Sequence, residues 1–187
     1  MSAIEHEKFD VLTEWRKFEA ALILELKATP LAEFESAWRS LSDKTRFYDR
    51  VLMPKVAARL GYGLQYEFVL CDYVFWNRDR VPMVFIESEN AHGTATSEID
   101  KLCCFSSPVK ALFLSCERAD GERDKYLPGW KERFATHHKY CDLNAVYMTV
   151  VGEWGRGKPK DDGILRYYIE SFDVFGNEID RKELVVS

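Results

Sequence analysis

Residues Val109 to Cys116 form a short, almost continuously apolar run. A run of this length and texture marks a central strand buried on both faces, and such a strand needs helices on each side of its sheet. That requirement points to an α/β fold. At 187 residues the chain is long enough for one sizeable core and too short for two ordinary ones. No repeat, low-complexity tract or linker divides it. It reads as a single domain over 1–187, with helices over 1–42 and an α/β core over 43–187.

Around that strand the patterning alternates between helix and sheet. Phe9, Leu12, Trp15, Phe18, Leu22 and Leu26 recur at helical steps within residues 5–27, and Thr29-Pro30 breaks the stripe. Leu31, Phe34, Trp38 and Leu41 mark a second, shorter helix. Ser42-Asp43 offers an N-cap for a third, which runs to Leu60, closes at Gly61 and must kink or restart at Pro54. Leu64 to Trp76 then reads as one long strand or two short ones, and Val81 to Ile86 as another. The polar turn Asn77–Arg80 makes these an antiparallel hairpin. Ser97-x-x-Asp100 resembles a capping box opening a helix through Phe105, and residues 122–141 carry Trp130, Phe134 and His138 on one helical side. Ala145–Val151, Leu165–Val174 and a last edge segment after Gly176-Asn177 complete a mixed sheet flanked by helices.

Charge and cysteine usage narrow the function classes. There are 26 Lys and Arg against 31 Asp and Glu, a net charge of −5. Proteins that coat themselves on nucleic acid are usually basic, so any such contact must come from a local patch. The longest uncharged apolar run, Ala20–Leu24, is far short of a membrane span, and Met1–Phe9 has no signal-peptide core. No membrane association and a cytoplasmic location are expected. Cys71, Cys103, Cys104, Cys116 and Cys141 contain no CxxC and are expected to be buried, reduced thiols.

The chemistry-bearing feature is Phe85-Ile86-Glu87-Ser88-Glu89-Asn90. Strand alternation puts Glu87 and Glu89 on one face with Met83 and Phe85. Two carboxylates at the end of an apolar strand are costly unless a cation compensates them. A turn at 77–80 brings Asp72, near the start of the preceding strand, beside Glu87. Hard oxygen ligands from two strands suit Mg²⁺.

This arrangement resembles the PD-(D/E)xK nuclease superfamily, whose restriction-endonuclease-like core runs α-β-β-β-α-β. Asp72 matches the motif's Asp, Glu87 its metal-binding acid, and Glu89 stands where Lys is usual; Cys71 replaces the Pro. The resemblance covers roughly residues 45–116. It implies Mg²⁺ held by Asp72, Glu87 and the carbonyl of Ser88, with Glu89 orienting or deprotonating the attacking water. In some members the lysine migrates to the following helix, which makes Lys101 the candidate for stabilising the transition state. Asp49 matches the acid that often joins from the first core helix. The implied function is Mg²⁺-dependent phosphodiester hydrolysis of DNA or RNA, and many family nucleases cut two strands as homodimers. The alternative is a nuclease-fold binding or assembly module without catalysis. A third option is an interaction protein that dimerises through its N-terminal helices.

Other clusters weigh less. His137 and Cys141 are four apart on a helix, but no second Cys/His pair at zinc-ligand spacing completes a set. Arg156, Lys158 and Lys160 read as a solvated loop, because Asp161 and Asp162 follow them.

Overall fold

The computed structural model describes residues 9–90, 92–117, 122–141, 144–154 and 163–186. Its centre is one seven-stranded mixed sheet in simple sequential order. The strands are β1 (Gly63–Phe68), β2 (Cys71–Trp76), β3 (Pro82–Glu89), β4 (Val109–Glu117), β5 (Val146–Trp154), β6 (Leu165–Phe172) and β7 (Glu178–Val186). β1, β2 and β3 are an antiparallel meander; β4 and β5 run parallel to β3, and β6 and β7 return antiparallel. The two parallel joins use α5 (Ala95–Cys103) and α6 (Glu122–Tyr140), because parallel neighbours cannot be joined by a tight turn. The helices that precede the sheet are α1 (Val11–Ala28), α2 (Leu31–Ala37), α3 (Leu41–Phe47) and α4 (Met53–Leu60).

The predicted central strand is β4, and it is covered on both faces. Val109, Ala111 and Phe113 pack with α1, α3 and α4, whereas Leu112 and Leu114 pack with α5 and α6. One charge interrupts the apolar run. Lys110 is 1% exposed, its Nζ lying 3.4 Å from the hydroxyl of Tyr147 and 5.1 Å over that ring. Burial pulls its pKa down to about 8.

Pro54 sets the winding of the helices before the sheet. It has no N–H and its ring crowds the carbonyl four residues back, so an α-helix cannot run through it undisturbed. Residues Tyr48–Leu52 widen into a π-helical turn, with the N–H of Met53 reaching back to the carbonyl of Tyr48. The carbonyl of Asp49 instead accepts from the hydroxyl of Tyr66, at 2.7 Å. This is the physical form of the expected kink. It is a π-bulge, a feature that recurs at functional sites.

Several sequence expectations shift in detail. Ser40, not Ser42-Asp43, caps α3, its hydroxyl accepting from the N–H of Asp43 at 3.1 Å. α5 begins earlier than the Ser97 box, at Ala95, and Ser97 lies in its first turn donating to the carbonyl of Thr94. On α1, Trp15, Phe18, Leu22 and Leu26 are buried as expected, but Leu12 is exposed and Val11 takes its place against the core. Residues 64–76 divide into β1 and β2. Met83 joins Val84 and Ile86 on the α1–α4 face, because the register shift opposite Phe75 and Trp76 interrupts the alternation there. Cys71 and Cys103 are buried thiols, whereas Cys104 and Cys141 are exposed, each just past the end of a helix. Among the described residues no helix is long and apolar enough to cross a membrane. Residues 1–8 and the basic positions Arg156, Lys158 and Lys160 lie outside the described residues.

Candidate functional site

The β2–β3 ladder pairs Tyr73 with Ile86 and Val74 with Phe85. Continued one step, that register sets Asp72 opposite Glu87. The two chain segments are tied there: the N–H of Ser88 donates to Asp72 Oδ2 at 2.7 Å. Glu87 points to the α5 side, the same face as Phe85, and meets Lys101. The Lys101 ammonium stands 2.9 Å from Glu87 Oε1 and 2.6 Å from Glu98 Oε2, one turn earlier on α5. It also donates to the carbonyl of Leu70 at 3.0 Å. Three of the four expected site residues, Asp72, Glu87 and Lys101, are therefore brought together by two strands and the helix after them.

Glu89 does not join them in the same way. Its Oε1 accepts from the N–H of Asn90 at 2.5 Å, so the carboxylate folds back onto its own chain. Glu98 takes the fourth place, as the second carboxylate on Lys101. Its spacing of three residues before Lys101 on a helix is the sequence signal for that pair.

Burial governs the electrostatics. Glu87 is 1% exposed. Removal from water pushes its pKa up to about 8; Asp72 raises it further, and Lys101 opposes the shift. Asp72 is raised as well, first by burial and then by Glu67 and Glu98, with the N–H of Ser88 and Lys101 opposing. Burial, followed by the charge of Glu87, pushes the Cys71 thiol up, which excludes it as a thiolate nucleophile at neutral pH.

Beside Asp72 opens a cleft of about 390 Å³, whose lining does not include Glu87 or Lys101. Its helical wall carries Thr45 and Asp49, and its strand wall Tyr66, Asp72, Tyr73 and Ser88. Asp49 thus reaches the same cleft as Asp72, where the sequence match placed it. Its Oδ1 accepts from the Tyr73 hydroxyl at 2.7 Å, which fixes the side chain against the sheet. The two tyrosines escaped the sequence reading because strand aromatics ordinarily signal packing. Their rings meet edge to face at 5.9 Å, and their hydroxyls both end on Asp49.

The donor set suits a hard divalent cation in chemistry: two carboxylates and a neighbouring carbonyl, all oxygen. Glu87 Oε1 fits as well, being buried and outside hydrogen-bond geometry with its lysine partner. Among the described residues, however, no three His, Cys, Asp or Glu side chains converge as a ready metal-ligand group. His137 ends on Asp100 of α5, at 3.2 Å, rather than in a Cys/His set. No protein-family model matches the chain, and comparison with curated proteins finds no match.

Proposed function

We propose that this chain is a Mg²⁺-dependent phosphodiesterase acting on nucleic acid, a variant of the PD-(D/E)xK type with a restriction-endonuclease-like core. The observation that carries the reading is the meeting of Asp72, Glu87 and Lys101 from β2, β3 and α5. The order of elements supports it: an antiparallel β1–β2–β3 meander, then α5, then β4 parallel to β3. That is the α-β-β-β-α-β order of the superfamily, with a helix before β1 that delivers Asp49. The lysine then comes from α5 and not from the motif's usual place on β3.

Asp72, Glu87 and the carbonyl of Ser88 would hold the ion. When bound, Mg²⁺ supplies charge neutralisation at the phosphate and a water of lowered pKa. The protein's own contribution is positional. The N–H of Ser88 aims Asp72, and burial against the α5 side limits Glu87 to one orientation. The Lys101 ammonium is a third exposed, so it is open to an incoming anion while it remains beside Glu87. Glu89 would have to turn from the N–H of Asn90 before it could orient a water.

A second reading has its own observation. Lys101 already neutralises Glu87 and Glu98 without any metal, as a purely structural ion cluster would. A nuclease-fold binding or assembly module that has lost catalysis accounts for that. The two readings separate by titrating Mg²⁺ and Mn²⁺ into wild type and the Asp72→Ala/Glu87→Ala variant, alongside cleavage assays on DNA and RNA. Metal binding and cleavage that both disappear in the variant support the enzyme. Metal binding unchanged by the variant, or cleavage undiminished in it, refutes the site.

A further inference from the structure

β7 closes one end of the sheet and, among the described residues, pairs only with β6. An open strand edge invites another chain, and proteins commonly blunt it with an irregular backbone. The opposite edge is blunted in that way: in β1, Glu67 takes a φ of 51° and is skipped in the pairing with β2. β7 is regular by comparison. Its register shift lies at its start, and Asp180 to Val186 then run opposite Ser171 to Leu165 without interruption. The N–H of Arg181 donates to Asp180 Oδ1 at 2.8 Å, a side chain and not a strand. Successive residues of a strand turn their N–H and C=O to opposite sides, so Arg181 and Glu183 present theirs to the open edge.

The side chains of β7 match the same strand run backwards. A twofold axis through Lys182 sets Arg181 opposite Glu183 of a second copy, and the symmetry repeats that pair. A closed dimer needs such a self-complementary patch. Arg181 already stands 2.5 Å from Glu170, and Glu183 stands 3.2 Å from Arg166. Pairing therefore extends both into one row of alternating sign: Glu170 and Arg181, then Glu183 and Arg166 of the second copy. Ile179 and Val185, 36% and 49% exposed, fall beside each other across the axis and leave water together. Lys182 meets its own copy there, but its ammonium is held within each chain by Glu19 of α1 and by Asp180. Sliding the register by one pair moves the axis to Arg181 or Glu183, which then faces its like while the Arg181–Glu183 pairs are lost.

From this self-complementarity we propose that two copies of the chain associate through β7, antiparallel and centred on Lys182, so that their sheets become continuous. Main-chain hydrogen bonds supply the affinity in strand addition of this kind, and the side-chain rows fix the register. The interface does not depend on the nuclease reading, since β7 is four strands away from β3 in the sheet.

Sedimentation equilibrium of the full chain over a wide concentration range tests the association. Wild type should show a monomer–dimer equilibrium. Glu183→Arg sets like charges opposite each other twice, and Val185→Lys removes the apolar pairs; each should weaken the dimer about tenfold or more. Both positions are exposed, so the diluted variants should melt close to the wild-type monomer. Leu12→Lys, on the exposed side of α1, should leave association unchanged. Amide hydrogen exchange of the unmutated chain reads the edge directly. Dilution should speed exchange at Glu183 about tenfold or more and leave Lys182, which faces β6, unaffected. A wild type that stays monomeric overturns the proposal. So does a dimer that both β7 variants leave intact, one that Leu12→Lys dissociates, or exchange at Glu183 that ignores concentration. None of these results touches metal binding or cleavage at Asp72 and Glu87.

Discussion

Lys101 and Glu87 form an ion pair of unequal partners: the acid is 1% exposed and the lysine about a third exposed, with 2.9 Å between them. The acid bears most of the desolvation, and its pKa rises to about 8. The lysine keeps contact with water and has Glu98 as a second counter-ion. Glu87 is thus the group whose proton is exchangeable near neutral pH.

Metal binding at this site should follow that proton. An acid whose folded pKa is raised binds its proton more tightly folded than unfolded. Metal-free stability therefore falls as pH climbs from the ordinary carboxylate range towards about 8, by roughly 1–3 kcal/mol. Mg²⁺ competes with the proton, so its affinity should climb over the same window and level off above it. Glu87→Gln should flatten the stability profile and abolish metal binding. Denaturant melts and calorimetric titrations across the window check both; a pH-independent Mg²⁺ affinity refutes the assignment of Glu87 as ligand.

Removing the lysine should expose the cost of the acid. Lys101→Met leaves Glu87 buried without its counter-ion and should destabilise the protein by about 2 kcal/mol at pH above 8. Below the usual carboxylate range the loss should shrink, because Glu87 is then neutral in both states. Adding Glu87→Gln should recover much of the deficit. Chemical denaturation of the single and double variants gives the coupling, and additive losses would show that the pair does not interact.

Lys110 makes the opposite case. Its folded pKa is depressed to about 8, so the unfolded chain binds more protons between there and the ordinary lysine value. Stability should rise with pH across that interval. Lys110→Met removes the buried ammonium and should raise stability at pH 7 by about 1–3 kcal/mol while erasing the rise. Thermal melts from neutral to alkaline pH decide it.

Gly152→Ala serves as a packing control away from the acids. A Cβ there would lie 2.8 Å from Tyr167 Cε1 and 3.2 Å from Trp38 Cζ2. Both rings are set in the α1–α4 face of the core, so the clash should cost about 1–3 kcal/mol. Mg²⁺ affinity of the folded variant should equal wild type. A shift in affinity would mean that strain at β5 is transmitted to β3.

The α/β class was readable from β4, whose apolar run forces a two-sided sheet, and from helical stripes such as Trp15–Phe18–Leu22. The pairing of Asp72 with Glu87 was readable because a hairpin register follows from the turn position. What escaped had physical reasons. Val69-Leu70 carries none of the Gly or Asn chemistry that announces a turn, so one long strand and two short ones stayed equally open over Leu64 to Trp76. Lys110 is a charge in an apolar run, and only the three-dimensional neighbours show that it is buried with Tyr147. The folding back of Glu89 depends on a backbone N–H one residue away, which residue type does not encode.

The π-helical turn at Tyr48–Leu52 makes the position of Asp49 a matter of winding number as much as of residue identity. Deleting one residue from that turn would let the helix run on as ordinary α with its flanking turns close to their present phase, because a π turn absorbs one extra residue by winding less tightly. Lys44, whose ammonium grips the carbonyl of Ser115, would keep its side of the helix, whereas the carbonyl of Asp49 would be drawn back into the helical ladder and away from the Tyr66 hydroxyl. The extra residue is therefore slack held in one turn: it frees a single carbonyl for the cleft wall and leaves the anchors before it in register.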